Sequence, residues 1–246
     1  GILADPPARP PLTAKQPPAQ QPPAPRPLAQ RPQLGPQVGP NIGRKTLVLD
    51  LDETLVHSTF RPAHGSDLRI FVDLEGEVHC VYVLKRPGVD EFLSLVAQLY
   101  EVVVYTASVP LYADPLLDEL DRGGAVAFRL FREACTRSTA GYVKDLSKLG
   151  RDLRDVIIVD NSPVCYALQP ENAIPIKTWR GDEADRALFD LIPILHALAN
   201  VDSIPDILRT FMEGEVNDEE TAHREEHAGR QEDLLPVGRE YKRTIL

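Results

Sequence analysis

Three short apolar runs stop abruptly at polar residues, and this repetition constrains the fold more than any other feature of the chain. Thr46–Leu51 carries Asp50, with Asp52 just beyond it. Glu101–Tyr105 gives way to Thr106-Ala107-Ser108, and Asp155–Val159 to Asp160-Asn161-Ser162. Each run is nearly continuous in apolar residues, the pattern of a strand buried on both faces of a parallel sheet. Residues at helical spacing lie between and after them. Val89, Phe92, Leu93 and Val96 follow Pro87, Val109–Leu120 reads as a second helix, and Leu188, Leu191, Ile192, Leu195 and Leu198 form a third, bent at Pro193. Ile174–Ile176 is a candidate fourth strand. Strands alternating with helices predict an α/β domain, a central parallel sheet flanked by helices with right-handed crossovers.

The remaining sequence sets the limits of that domain. Leu68–Leu74 and Val78–Leu84 alternate in polarity and are split by Glu75-Gly76-Glu77, which predicts a small β-hairpin insertion. In 246 residues, 43% of them hydrophobic, there is room for one substantial core, assigned to 44–210. Residues 1–43 hold 13 of the 23 prolines and read as a disordered or polyproline-II linker, with a ligand for proline-binding modules as the second reading. Residues 211–246 hold ten acids and five Lys/Arg and read as a solvated, charged tail. The net charge of −10 argues against nonspecific nucleic-acid binding. Three cysteines without a Cys-x-x-Cys pair point to a reducing, intracellular compartment. No apolar stretch reaches the roughly 18 residues of a membrane span, and the first residues lack a signal pattern.

Carboxylates at the end of a buried strand are costly to desolvate unless something pairs with them. In open α/β sheets, ligands bind at the carboxyl ends of the strands. Three polar strand ends, on strands expected to be neighbours, therefore predict one site containing Asp50, Asp52, Thr106, Ser108, Asp160 and Asn161. Lys144, in Gly141-Tyr-Val-Lys-Asp-Leu, lies between the second and third runs. His57, His64, His79 and His196 do not form a metal signature. One competing pattern is present: His79-Cys80 and Arg86 have the His-Cys-x5-Arg spacing of cysteine-dependent phosphatases. That chemistry needs a glycine-bearing phosphate loop, whereas Val81-Tyr-Val-Leu84 alternates like a strand.

Asp50-x-Asp52-x-Thr54, Tyr105-Thr-Ala-Ser108, Tyr142-Val-Lys-Asp-Leu-Ser147 and Val159-Asp-Asn-Ser-Pro163 together resemble, in order, the four motifs of the haloacid-dehalogenase superfamily. With Val83-Leu-Lys-Arg-Pro87 and Leu130-Phe-Arg-Glu133, residues 44–200 are similar to its small C-terminal-domain phosphatase branch, which removes phosphate from Ser/Thr of proteins. Chemistry and resemblance together give the roles. Asp50 is the expected nucleophile, forming an aspartyl-phosphate, and Asp52 the expected acid and base. Mg²⁺ is the implied cofactor, on the Asp50 carboxylate, the Asp52 carbonyl and the Asn161 amide, with Asp160 supporting both the metal and Lys144. Thr106 and Lys144, with Thr54 and Ser108, are expected to hold the phosphoryl group.

The stretch from 56 to 100 is too short for a large cap, so the site is expected to be open and to suit a protein segment. The resemblance implies an apolar pocket for a proline near the phosphoserine, at Phe60, Val72, Leu74, Val109 and Tyr112, and a substrate-contacting arginine at Arg132. The implied substrate is a Ser/Thr-Pro phosphoprotein segment such as the C-terminal repeat of RNA polymerase II, in the nucleus. The open alternatives are a membrane-associated relative like the nuclear-envelope lipin phosphatases, and a non-catalytic scaffold of the mitochondrial import type. The second is disfavoured because Asp50, Asp52, Thr54, Thr106, Lys144 and Asp160 are all kept.

Overall fold

In a computed structural model of the chain, the described residues are 32–62, 65–74 and 76–211. In chain order the elements are β1 (Thr46–Leu49), β2 (Val56–Thr59), β3 (Leu68–Leu74), β4 (Glu77–Lys85), α1 (Val89–Leu99), β5 (Glu101–Tyr105), α2 (Pro110–Leu120), β6 (Val126–Leu130), β7 (Thr136–Ser138), β8 (Gly141–Val143), β9 (Val156–Asp160), β10 (Ala173–Pro175) and α3 (Ala187–Leu198). A further helical segment starts at residue 204.

The predicted parallel sheet is present and has five strands in the order β10-β9-β1-β5-β6, all neighbours parallel. β1, β5 and β9 are buried along their whole length, which explains why their sequences are apolar without alternation. β1 sits centrally, with Leu49 level with Val104 of β5 and Val159 of β9. The three polar strand ends therefore meet along one edge.

Alternate residues of these strands face two separate cores. Leu47, Leu49, Val102, Val104, Ile157 and Val159 join the apolar sides of all three helices. On that side α1 begins at Gly88, whose φ of +80° puts it in the left-handed region; a Cβ there would come within 2.4 Å of the Phe189 ring. Val48, Val103, Tyr105, Val156 and Ile158 face the other way, onto Leu34, Leu146, Leu149 and Tyr166. None of the three α-helices covers this second face, so the expectation of flanking helices holds for one face. Among the described residues, short 3-10 turns and a segment of the N-terminal chain cover the other.

That segment shifts the expected domain boundary. Leu34 is only 3% exposed, and the Gln33 and Leu34 N–H groups donate to the Lys148 and Leu149 carbonyls at 2.9 and 3.2 Å. Around Leu34, residues the sequence reading placed in the linker are thus packed against the domain, whereas Val38 and Ile42 are 63% and 70% exposed. The readings for 1–31 and for 212–246 lie outside the described residues.

The insertion is also larger than a hairpin. β3 and β4 pair as predicted, from Leu68 with Val83 to Leu74 with Glu77. β2 adds a third antiparallel strand on the far side of β4. Val56-His-Ser-Thr59 is short and mostly polar, so it carries no strand signal in sequence. β6, β7 and β8 also escaped the sequence reading; they are three to five residues long and only partly buried.

Candidate active site

β1 ends at Leu49, and the chain then turns sharply. Glu53 sits at φ 58°, rare for a non-glycine residue. The turn is fixed by Leu55 N–H to the Leu51 carbonyl at 2.9 Å, Glu53 N–H to the Val56 carbonyl at 2.7 Å, and Trp179 N–H to the Glu53 carbonyl at 2.8 Å. Arg86, fully buried, donates from Nη1 to the Thr54 carbonyl and holds Asp185 through Nε and Nη2. Its guanidinium is thereby committed to holding this turn. Cys80 pairs with Phe71 inside the β3–β4 ladder. The His-Cys-x5-Arg pattern therefore has no phosphate loop.

The turn gives the two aspartates different surroundings. The Asp50 carboxylate is buried and accepts from Lys144 Nζ at 2.7 Å on one oxygen and from Thr54 Oγ1 at 2.7 Å on the other. Lys144, 0% exposed, also donates to Asp160 Oδ2 at 2.5 Å. Asp160, equally buried, takes the Ser162 N–H on its other oxygen at 2.8 Å. Two carboxylates thus share one ammonium out of contact with solvent. Burial alone would weaken the lysine's charge, but Asp50 and Asp160 outweigh it and hold the Lys144 pKa above the usual lysine value. Burial, with the Asp50 charge adding to it, pushes the Asp160 carboxyl up against the pull of Lys144.

Asp52 faces elsewhere. One oxygen accepts from Ser108 Oγ at 2.7 Å and the other from the Tyr112 hydroxyl at 2.8 Å. Burial raises its pKa; the two hydroxyl donors pull it down but do not cancel the shift. Thr106, buried at the end of β5, accepts the Ser108 N–H on Oγ1 at 3.0 Å, which ties the 106–108 turn together.

An oxygen-seeking cation matches the donors beside Asp50. Asn161 Oδ1 lies 3.4 Å from Thr54 Oγ1, whose single proton goes to Asp50 Oδ2 at 2.7 Å. The amide oxygen thus keeps its lone pairs, next to a carboxylate with lone pairs of its own. Asn161 Nδ2 donates to Thr178 Oγ1 at 3.1 Å, a contact that fixes the amide's orientation and that the sequence did not announce. Asp160 turns both oxygens away, to Lys144 and Ser162. Among the described residues no three His, Cys, Asp or Glu converge on a point.

Beside Asp52 opens a pocket of about 280 Å³. Phe60, Val72, Val109 and Tyr112, four of the residues assigned to an apolar pocket in sequence, line it together with Arg132. The side chain of Leu74 lies outside the described residues. Val81, Leu111 and Ser58 also line it and were not anticipated. Val81 was within reach of the sequence: opposite Ile70 in the β3–β4 register, it shares a face with Val72. Tyr112 does more than wall the pocket, because its hydroxyl bridges Asp52 and Ser58.

A parallel sheet with an Asp-x-Asp turn at its central strand, a buried lysine and a second carboxylate behind it define the haloacid-dehalogenase class of α/β domain. Within that class, residues 45–205 match the model of the family described as NLI interacting factor-like phosphatase, and the chain belongs to that family. It is 54% identical over 177 residues to a probable C-terminal domain small phosphatase of Dictyostelium discoideum, covering 72% of this chain and 58% of that one. It is 52% identical over 166 residues to the human CTD small phosphatase-like protein, covering 68% and 60%. To human carboxy-terminal domain RNA polymerase II polypeptide A small phosphatase 1 it is 52% identical over 163 residues, covering 66% and 62%. The chain thus spans roughly three fifths of the length of these curated relatives. Among the described residues no helix is long and apolar enough to cross a membrane.

Proposed function

We propose that this chain is a phosphoserine/threonine protein phosphatase that works through an aspartyl-phosphate on Asp50. The observation that carries the reading is the division of labour between the two aspartates: Asp50 is held by Lys144 and Thr54, and Asp52 by Ser108 and Tyr112 with a raised pKa. A carboxylate oriented by a fixed ammonium and a hydroxyl suits a nucleophile. A carboxyl whose pKa is lifted by burial suits an acid.

In the first step an Asp50 oxygen bonds to phosphorus and the bond from phosphorus to the serine oxygen breaks. Asp52 gives its proton to that leaving oxygen. In the second step Asp52, now a carboxylate, takes a proton from water. The water oxygen attacks phosphorus, the acyl-phosphate bond breaks, and Asp50 and inorganic phosphate are released. Lys144 and Thr106 hold the equatorial phosphoryl oxygens, where charge is stabilised during transfer. Mg²⁺ on the Asp50 carboxylate, the Asp52 carbonyl and the Asn161 amide oxygen would supply charge neutralisation when bound. Asp160 keeps Lys144 in place.

The small three-stranded insertion, with no large cap among the described residues, and the apolar pocket next to Asp52 support a protein segment as substrate, with a proline beside the phosphorylated residue. The relatives' names point to the C-terminal domain of RNA polymerase II. A Ser-Pro segment of that kind, in the nucleus, is the substrate proposed here. The test is phosphate release from a phospho-Ser-Pro peptide by wild type, Asp50→Asn and Cys80→Ser proteins, with and without excess EDTA. Turnover is expected to vanish in Asp50→Asn and with EDTA, and to survive Cys80→Ser. Turnover that survives Asp50→Asn overturns the mechanism.

A further inference from the structure

The pocket ends at Arg132, and beyond it the structure places a second arginine that the proposed chemistry does not use. β7 and β8 form a small antiparallel ribbon in which Arg137 lies directly opposite Tyr142. The Arg137 guanidinium sits 5.8 Å from the centre of the Tyr142 ring, and the Arg132 guanidinium sits 5.2 Å from the same ring. Both arginines are exposed. Arg132 is tied to the site by donating from Nε to the Ala107 carbonyl at 2.5 Å. Its two Nη groups, and every side-chain donor of Arg137, make no hydrogen bond among the described residues, and neither arginine has an ion-pair partner there. Glu133, exposed on the same turn, pairs with neither. Lys148 reaches the ribbon through Thr136 Oγ1 at 2.7 Å, but Asp145 lies 3.5 Å from its charge.

Among the described residues Tyr142 alone carries two guanidinium groups; the other stacked cations each sit over a ring of their own. The net charge of the chain is −10, and ten of its cations have acidic partners, whereas Arg132 and Arg137, like Arg44, Arg61, Arg69, Lys177, Arg180 and Arg186, have none among the described residues. Two free guanidinium forks held over one tyrosine are pre-organised for a planar or tetrahedral anion. The ribbon is also rigidly linked to the site, because Tyr142 lies two residues before Lys144.

We propose that Arg132, Arg137 and Tyr142 form an anionic subsite. It takes a carboxylate or a second phosphate on the substrate chain, just past the phosphorylated residue on the side away from Phe60 and Val72. The inference rests on the phosphatase reading and deepens it: the enzyme selects segments carrying an acidic or phosphorylated neighbour. Arg137 is then a specificity residue that touches substrate without touching the reacting atoms.

The experiment compares kcat/KM on three phospho-Ser-Pro peptides. They differ only at the flanking positions, which carry alanine, glutamate or a second phosphoserine. The wild-type protein is expected to prefer the anionic peptides. In Arg137→Ala that preference falls by about threefold to tenfold, and Arg137→Lys keeps part of it because charge survives without the fork. Raising salt narrows the preference in wild type more than in Arg137→Ala. Loss for the phosphoserine peptide alone assigns the subsite to a second phosphate; equal loss for both assigns it to anionic side chains in general. A preference unchanged in Arg137→Ala overturns the subsite while the phosphatase reading stands. No turnover of any of the three peptides overturns both.

Discussion

Asp50 and Asp52 are two residues apart, yet they share no hydrogen-bond partner. In a continuing strand they would project to the same side. Here β1 has already ended at Leu49, and the left-handed Glu53 aims Asp52 toward α2 and the 106–108 turn. Burial raises the Asp52 pKa, and Ser108 and then Tyr112 oppose that shift; Tyr112 is the donor that comes from α2. Its hydroxyl donates to the carboxylate and stabilises the charged form, against a burial effect that favours the neutral form. Removing that donor raises the Asp52 pKa further. The first chemical step needs Asp52 protonated, so its rate falls as pH rises through that pKa. In Tyr112→Phe the alkaline limb of kcat for a phosphoserine peptide is expected to move to higher pH. A pH–rate profile checks this, and a limb that stays in place or moves down contradicts the assignment of Asp52 as the acid. The thiols behave differently: burial pushes Cys135 up and Cys165 up to about 12, so neither is a thiolate at neutral pH.

At the scale of elements, the least anticipated part is the strap at residues 32–37. Leu34 enters the core on the sheet face that lacks an α-helix, beside Tyr105, Leu146 and Leu149. Gln33 Nε2 and the Tyr105 hydroxyl both donate to the Ala134 carbonyl, at 2.8 and 2.6 Å. Ala134 closes the turn that carries Arg132, and Leu146 and Leu149 follow Lys144, so the strap joins the supports of Arg132 and Lys144. Leu34→Ala is expected to cost about 2–5 kcal/mol of stability by leaving a cavity under Tyr105. Urea unfolding measures this, and a loss below about 0.5 kcal/mol, the level of an ordinary surface change, would show the strap to be dispensable. The sequence concealed the strap because a lone leucine among prolines has no period to detect. β1, β5 and β9 were legible because strands buried on both faces must be apolar throughout. β2 was not, because an insertion strand is only partly buried and its side chains need not be apolar. The site was legible wherever it sat on a strand end, as at Asp50, Thr106 and Asp160. It was illegible where residues meet only through folding, as with Tyr112 on Asp52, Thr178 on Asn161 and Arg137 on Tyr142.

For the molecule as a whole, charge and surface shape pull in different directions. An acidic body repels a phosphorylated segment at long range, and at physiological salt that repulsion is screened beyond about 8 Å. Capture then depends on what acts at contact: the cations around the phosphate and the apolar pocket beside it. Phe60 is 62% exposed, far more than a core aromatic, and forms the outer wall of that pocket, while Val72 and Val81 form its buried floor. An exposed phenylalanine next to a reactive carboxyl gains most of its burial only when a substrate side chain fills the space. A ligand that presents only a phosphate and a flat ring to Asp50 leaves the pocket empty and gains nothing from it. Phe60→Ala and Val109→Ala are therefore expected to raise KM for a phospho-Ser-Pro peptide by about threefold to tenfold, the loss of roughly 1 kcal/mol of apolar contact. For p-nitrophenyl phosphate the same variants are expected to shift KM by less than about twofold, with kcat nearly constant on both substrates, because this contact binds ground state and transition state alike. Equal changes on the two substrates would mean that these residues only hold the antiparallel sheet against α2. The pocket would then have no part in choosing the segment.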